Sequence, residues 1–447
     1  MTTPSRPVDA AIPDDVSQPL DQSLDQALEP TPAPAPPPMA PGIRNGGAFA
    51  FLSVLRHRNY RLFFAGQLVS LMGTWITNVA QGWLVYQLTS SPLMLGVVTF
   101  AGQVPVFFFS LFGGMISDRF ERRRLLLITQ ALAMAQSAAL AVLTLTGLIQ
   151  VWHIVALALF QGLVNAFDVP IRQSMTVEMV GKADLRHAIS LNSMMFNLAR
   201  VTGPAVGGLL IALVGVGWCF SIDALSYAAV LTGLSLMRFA PLPARVHAQA
   251  LAAIRAGLAY AWGQRPIRAS LLLIAACSCF GAAYMSLLPA FARDVLHQGS
   301  EGLGFLYSAV GLGALLGAYT LARVPDRHLF VTPVVAAFGF GLMLVLFSWS
   351  GIFWLSLGLL FPAAFFLMLL GGSTNSIVQL LSREDMRGRV VALYAMGMMG
   401  MMPWGSLMLG GVAEHLGSHW AVSIGGSVCI LAALLAWRDR QGGWARG

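Results

Sequence analysis

The stretch GGMISDRFERRRLL, residues 113–126, joins two long apolar segments and holds four arginines within six positions. The segments on either side, 93–117 and 125–147, are each long enough to cross a bilayer, which takes about 20 apolar residues. A short basic turn between two such segments is typical of a loop between membrane-spanning helices. The stretch therefore predicts an all-α membrane protein.

Further apolar segments extend in both directions from this loop, and together they predict about twelve transmembrane helices. The longest polar interruption, residues 238–268, divides them into two sets of six, and residues 248–262 within it predict an amphipathic helix on the membrane surface. The predicted spans are 62–87, 93–117, 125–147, 150–169, 188–213, 216–237, 269–291, 302–322, 330–349, 352–376, 389–413 and 417–437.

The composition excludes a soluble domain. Of the 447 residues, 57% are hydrophobic and 10% are charged, and the mean hydropathy is +0.71. A soluble domain carries about 25% charged residues, so this chain cannot cover itself with a water-facing shell. The four cysteines lie in apolar runs without metal-site spacing, which predicts packing residues and no metal or cofactor.

The first 48 residues differ sharply from the rest, because they hold 11 of the 23 prolines. Such a segment cannot bury a core, so residues 1–48 are predicted to be a disordered cytoplasmic tail. The remaining predicted divisions are a six-helix bundle over 49–240, a cytoplasmic linker over 241–267 and a second six-helix bundle over 268–440.

Basic residues fall almost entirely on one side of the predicted membrane. Of the 27 lysines and arginines, only Arg293 falls in a loop on the other side and only Arg200 falls inside a span. The net charge of +8 therefore reflects the positive-inside rule and not binding to nucleic acid. The pattern predicts a multi-pass protein of the bacterial inner membrane with both termini in the cytoplasm.

The two halves also resemble each other. ADLRHAISLNSMMFNLARVTGPAVGG, residues 183–208, is similar to EDMRGRVVALYAMGMMGMMPWGSLMLGG, residues 384–411. Each begins with an acidic residue and an arginine, and each has a proline 18–20 positions after the acidic residue. This similarity indicates a duplicated six-helix unit and hence two pseudo-symmetric bundles.

The loop quoted first resembles a signature of the major facilitator superfamily, Gly-x-x-x-Asp-Arg-x-Gly-Arg-Arg. The matching residues are Gly114, Asp118, Arg119, Arg122 and Arg123. Glu121 stands where the pattern usually has glycine. The resemblance implies two bundles that alternate around a central cavity and a latch at this loop, centred on Asp118, while the plainer alternative is an ordinary basic loop.

Asp168 lies near the end of the fourth span, close in the expected fold to the same loop. It is predicted to reach the arginines at 119–124 and to form a gating cluster with Arg172. The alternative is a solvated helix end.

A second motif is ARVTGPAVGG, residues 199–208. Proline removes a helix hydrogen bond and glycine permits close packing, so the residues alone indicate a kink. The motif resembles the fifth-helix signature of drug-type antiporters in Gly203, Pro204, Gly207 and Gly208, with Ala199 in place of a further glycine. The resemblance implies export in exchange for protons.

Arg200 is a charge within a span, where insertion costs about 2.5–3.5 kcal/mol. We expect it to pair with Asp223 in the next helix, either as a proton-coupling pair or as a fixed structural ion pair. Ala158 occupies a position where proton-coupled relatives often carry arginine, so the coupling ion stays open.

Polar residues within the spans are candidates for lining the cavity or for making hydrogen bonds between helices. The candidates are Asn78, Gln81, Gln103, Asn165, Asn192, Asn197, Asn375 and Gln379. Methionines of the eleventh span add an adaptable apolar wall, which would suit an amphipathic substrate.

The strings FDVPIRQ, DALSY and MRGRVVALYAMGMMGMMPWG narrow the resemblance. Together with SLNSMMFNLARVTGPAVGG, residues 190–208, they are similar to the branch of the superfamily that contains the enterobactin exporter and macrolide-type efflux proteins. The resemblance implies a monomeric, proton-driven exporter of siderophore-like or drug-like molecules and not an enzyme. An importer on the same fold and a non-transporting receptor are the alternatives.

Overall fold

The computed structural model describes residues 50–237 and 250–441, and within these ranges its regular structure is helical, without strands. The predicted tail, residues 1–48, lies outside the described residues. From Phe51 onward the chain belongs to one compact unit. The predicted all-α membrane fold is confirmed.

The first half contains six long helices, preceded by a short 3₁₀ helix at Ala50–Arg56. The helices are α1 (Arg58–Thr89), α2 (Pro92–Arg119), α3 (Arg122–Leu145), α4 (Val151–Gly181), α5 (Ala183–Val214) and α6 (Val216–Leu236). Only Gly181 separates α4 from α5 as a break in helical geometry, with φ 71° and ψ 174°. This positive φ is a conformation that glycine adopts readily.

The second half begins with α7, the predicted amphipathic helix, and continues with six apolar helices. They are α7 (Ala250–Gly263), α8 (Arg265–Val295), α9 (Ser300–Leu321), α10 (Thr332–Ser348), α11 (Phe353–Leu381), α12 (Glu384–Leu416) and α13 (Ser418–Gln441). α8 contains two π-helical segments, Cys277–Ala282 and Phe291–Val295. α12 has a short break between Met399 and Met402.

The number of spans agrees with the sequence. Within the described ranges, eleven helices are long and apolar enough to cross a membrane, and α10, with 17 residues, is a shorter apolar helix. Because successive helices run in alternating directions, Arg122, Arg186 and Arg383 lie at the same end of the bundle. We call this the arginine-rich end and the opposite one the far end.

Within each half the helices pack closely through small residues. α1 packs on α5 and α6, α2 on α4, and α3 on α6, while in the second half α9 packs on α11 and α10 packs on α11 and α13. A Cβ built on Gly66 of α1 would lie 3.0 Å from Cα of Val230 in α6. In lipid, such close approach replaces the hydrophobic drive that packs helices in water.

The two halves meet along two helix pairs, α5 with α9 and α2 with α12. A Cβ on Gly304 of α9 would lie 2.5 Å from the carbonyl oxygen of Pro204, and one on Gly208 of α5 would overlap the carbonyl oxygen of Ser300. In the other pair, a Cβ on Gly410 of α12 would lie 2.9 Å from the carbonyl oxygen of Pro92. We call the close backbone contacts of these two helix pairs the glycine seam.

The seam predicts a specific sensitivity to one methyl group. Gly208→Ala is expected to destabilise the purified protein by about 1–3 kcal/mol, because the new Cβ overlaps a backbone atom of α9. The thermal midpoint of the protein in lipid nanodiscs measures this effect. The matched control is Gly358→Ala in α11, where nothing lies within 4 Å of the built Cβ, so stability should hold. Equal midpoints for the two variants would contradict the seam.

Candidate functional site

A central cavity of about 360 Å³ lies between the halves, beside the glycine seam. The first half contributes Trp75 and several amide side chains, and the second half contributes the end of α8 together with residues of α9 and α12. Its polar and aromatic lining residues are Trp75, Asn78, Gln81, Thr99, Gln103, Gln161, Asn165, Ser286 and Tyr307. This mixture of aromatic, aliphatic and amide groups is typical of a small-molecule site.

A larger cavity of about 630 Å³ lies within the first half, among α1 and α3 to α6. Asn78, Gln81 and Asn165 line both cavities, and Asn192 lines the larger one. Further polar lining comes from residues that the sequence did not single out: Gln67, Thr77, Gln130, Gln136 and Gln173. The two cavities are therefore neighbours that share part of their polar lining.

Five of the eight cavity candidates line these cavities, and the other three have partners within their own helices. The Asn197 side chain donates to the carbonyl oxygen of Ser193 at 2.8 Å. Gln379 donates to Asn375 at 3.2 Å along α11. The structure therefore gives Asn197, Asn375 and Gln379 local contacts instead of the expected place on a cavity wall.

Asp168 is a buried carboxylate held from two sides. Thr129 and Gln130 of α3 donate to its Oδ1 at 2.8 and 2.7 Å, and Arg172 forms an ion pair with its Oδ2. Arg172 also donates to Gln67 of α1. The pairing with Arg172 is the expected one, but the two donors from α3 were not expected.

Two arginines of the basic loop bind partners other than Asp168, and the expected link from Asp168 to the rest of the loop stays a prediction. Arg122 forms an ion pair with Glu178 of α4. Arg123 donates to the carbonyl oxygens of Leu234 and Ser235 at the end of α6, at 2.8 and 2.7 Å. These two arginines tie α3 to neighbouring helices of the first half. The side chains of Gly114, Asp118 and Arg119 lie outside the described residues.

Close packing at this end of α2 is carried by Gly113, which the sequence did not single out. A Cβ on Gly113 would lie 3.0 Å from Cα of Phe167 and would overlap the carbonyl oxygen of Ala166. A further contact lies at the start of α5, where Asp184 accepts from Arg56 and His57, each at 2.7 Å. Both contacts lie at the arginine-rich end.

The expected ion pair between Arg200 and Asp223 is not formed in this structure. Asp223 is buried among helices of the first half, where Ser137 of α3 donates to it at 2.6 Å. A Cβ on Gly73 of α1 would lie 2.6 Å from its Oδ1. Arg200 lies instead where α5 meets α9, and a Cβ on Gly311 would lie 2.8 Å from its carbonyl oxygen. The two side chains belong to different faces of adjacent helices.

The motif at 203–208 packs α5 on two neighbours at once. Built Cβ atoms on Gly203 and Gly207 would lie 2.5 Å from Cβ of Trp75 and 3.1 Å from Cα of Ile76, both in α1. Gly208 and Pro204 face α9, and Ser300 donates to the carbonyl oxygen of Gly208 at 3.0 Å. The motif therefore packs α5 both within its own half and against the other half.

At the far end, carboxylates of the second half bind donors of the first. Glu414 of α12 accepts from the Ser91 hydroxyl at 2.7 Å and from the backbone N–H of Leu93 at 3.2 Å, at the N-terminus of α2. Asp294 accepts from the Tyr86 hydroxyl. These bonds close the far end between the halves.

The chain was compared with protein families and with characterised relatives. The family profile described as transmembrane secretion effector matches residues 49–442. The staphyloferrin A transporter of Staphylococcus aureus is 27% identical over 390 residues, which cover 83% of this chain and 94% of that protein. The multidrug efflux pump Tap of Mycolicibacterium fortuitum is 28% identical over 78% of this chain and 87% of its own length. The enterobactin exporter EntS of Salmonella choleraesuis is 24% identical over 86% and 93%.

Solved structures show the same fold at low sequence identity. The nucleoside transporter NupG aligns with a TM-score of 0.68 at 13% identity, covering 86% of this chain and 99% of its own. A bacterial homologue of the iron transporter ferroportin, in an inward-facing state, aligns with a TM-score of 0.66 at 15% identity, covering 87% and 99%. This likeness concerns the fold alone.

The match of the family profile to nearly the whole chain agrees with the twelve apolar helices and the cavity between two halves. The protein is a multi-pass membrane transporter and not an enzyme. The chain belongs to the transmembrane secretion effector family of the major facilitator superfamily.

Proposed function

We propose that this chain exports small amphipathic molecules across the bacterial inner membrane by alternating access, in exchange for protons. The observation that carries the proposal is the closed far end. Glu414 and Asp294 of the second half bind the first half there, while at the arginine-rich end Arg122 and Arg123 bind partners within the first half. Hydrogen bonds join the halves at the far end, and the cavities lie between the far end and the arginine-rich end.

The direction of opening follows from the positive-inside rule. Arginine-rich loops remain in the cytoplasm, so in this proposal both termini are cytoplasmic and the far end is periplasmic. The structure then corresponds to the state that is closed to the periplasm. A single chain contains both halves and both cavities, so the proposed working unit is a monomer.

The loop at 113–126 acts in this proposal as the latch of the opposite state. Asp118 and Arg119 stand at the end of α2, with Gly114 earlier on the same helix, and Arg122 and Arg123 follow at the start of α3. Asp168 and Arg172 lie just inside this loop and join α3 to α4 and α1. Moving the latch would therefore move the wall of the larger cavity.

The proposed substrate class follows from the cavity lining and from the relatives. The lining combines Trp75, Tyr307 and aliphatic side chains with amides such as Gln81 and Asn165, so it fits a molecule with both apolar and hydrogen-bonding parts. Two of the relatives named above transport siderophores, and one is a drug efflux pump. Siderophore-like and drug-like molecules are accordingly the first candidates.

Asp223 is the proposed proton carrier. Asp168 is already neutralised by Arg172, whereas the hydrogen bonds described for the Asp223 carboxylate come from hydroxyl groups, chiefly Ser137. A carboxylate in the protein interior without a cationic partner is costly to keep ionised, which favours taking up a proton. Asp223 also lines the larger cavity, which gives the proton a route.

Transport direction is tested in membrane vesicles that contain the chain. Inverted vesicles with an acidic interior are expected to accumulate a citrate-based siderophore or ethidium, because protons leaving the lumen drive uptake that corresponds to export. Vesicles without the protein, and vesicles treated with a protonophore, are the controls. Accumulation only in right-side-out vesicles would show import and would contradict the proposal.

Replacing the proposed proton carrier should stop proton-driven transport but leave substrate exchange intact. Asp223→Asn is expected to abolish uptake driven by the pH gradient, while exchange of labelled for unlabelled substrate across the same vesicles continues. Asp439→Asn makes the same chemical change at an exposed position of α13 and should leave both activities intact. Uptake driven by the pH gradient at the wild-type rate in Asp223→Asn would rule out this role.

A further inference from the structure

Arg200 is a charged side chain within a span whose charge the protein leaves uncompensated. Its Nε and Nη2 atoms are buried and have no hydrogen-bond partner within residues 50–237 and 250–441. A guanidinium in a membrane interior pairs with a counter-charge or marks the path of a substrate or ion. The guanidinium of Arg200 is therefore available to bind an anion.

The carboxylates inside the spans of the first half are engaged elsewhere. Asp168 forms its ion pair with Arg172, and Asp223 accepts from Ser137 on the side of α6 that faces α1 and α3. In the second half, Asp294 and Glu414 accept from Tyr86 and Ser91 at the far end. None of these described contacts supplies a counter-charge for Arg200.

Arg200 lies next to the central cavity. On α5 it is one turn from Phe196, whose ring is 6.0 Å from that of Trp75, a lining residue of the central cavity. Its backbone carbonyl faces Gly311 of α9, where the two halves meet.

The second half places another unpaired donor near the central cavity. Tyr284 of α8 is fully buried, and its hydroxyl has no hydrogen-bond partner in the described ranges. The next residue, Met285, and Tyr307 line the central cavity, and the Tyr307 hydroxyl donates to the carbonyl oxygen of Met285 at 2.9 Å. The guanidinium of Arg200 and the phenol of Tyr284 thus lie in opposite halves, each behind residues that line the central cavity.

We propose that Arg200 and Tyr284 bind an anionic oxygen group of the transported compound, so that the substrate class is an organic anion bearing carboxylate or catecholate oxygens. This inference rests on the proposed function. A planar guanidinium binds a pair of anionic oxygens through two parallel hydrogen bonds, and these bonds are strongest away from water. Because Arg200 belongs to one half and Tyr284 to the other, a bound anion bridges the halves and is released when they separate.

Direct binding to the purified full-length chain in lipid nanodiscs tests the site. Equilibrium dialysis with a radiolabelled citrate-based siderophore probes the anion, and ethidium serves as a cationic probe of the same cavities. The variants are Arg200→Gln, Arg200→Lys and Arg186→Gln. Arg186 lies on the same helix and is exposed, so Arg186→Gln removes one positive charge without touching the cavity.

Arg200→Gln is expected to weaken binding of the citrate-based siderophore by about tenfold or more, since a charge-assisted bidentate pair is lost. Ethidium binding should stay within about twofold, because the ring contacts with the cavity remain. Arg200→Lys should keep part of the anion affinity. If Arg200→Gln is unstable, Arg200→Lys still shows whether anion binding depends on the charge or on the packing of the side chain. Arg186→Gln should bind both probes like the wild type.

Four results would overturn the inference. Equal losses for both probes in Arg200→Gln and Arg200→Lys would indicate a structural role. Unchanged anion binding in Arg200→Gln would exclude the residue from the site. A wild-type chain that binds ethidium but not the siderophore would refute the anion class while leaving the export proposal standing, whereas binding of neither probe would refute both. Arg200-dependent binding without uptake into inverted vesicles would instead refute export alone.

Discussion

The contact on which the rest of the structure depends is the glycine seam, where backbone lies against backbone in α5 with α9 and in α2 with α12. Lipid supplies no hydrophobic drive between helices, so close packing and a few polar bonds must hold the halves together. Gly208, Gly304 and Gly410 bring the helices close enough for that, and the bonds of Glu414 and Asp294 add to it at the far end. The central cavity lies beside the seam, so in the proposed mechanism the tilt of the halves about the seam determines which side of the membrane the cavity faces.

Charged side chains within the spans have three kinds of surroundings. Asp168 is neutralised by Arg172, Asp223 accepts hydrogen bonds from hydroxyl groups, and Arg200, at the junction of the halves, has no counter-charge among the described residues. A charge that is fully paired in one conformation does not favour another arrangement of the halves. In the proposed mechanism, Asp223 and Arg200 are therefore the positions at which a proton or a substrate changes the energy of one conformation relative to another.

The apolar helices of the described ranges were predictable, because hydropathy and the placement of arginine are local properties of the sequence. The partners of individual side chains were harder to predict. Arg200 and Asp223 were expected to pair because their helices are adjacent in the chain, but the rotation of each helix about its axis turns them to different neighbours. The bonds from Ser91 to Glu414 and from Tyr86 to Asp294 join residues 323 and 208 positions apart, and no pattern in a single sequence fixes the register between the halves. The close packing of Gly113 on α4 was likewise not predictable, because it depends on where α4 lies in the folded protein.

The central claim is that the halves rock about the seam, so that one end closes as the other opens. Electron spin resonance distances between labelled cysteine pairs test it directly, after the native cysteines have been replaced. One pair, at Leu148 and Ile352, reports on the far end, and the other, at Leu236 and Leu380, reports on the arginine-rich end; all four side chains are exposed. When a transported siderophore is added across a range of pH, the far-end distance should lengthen as the other shortens. Two distances that change together, or that stay constant while transport proceeds, would contradict the account.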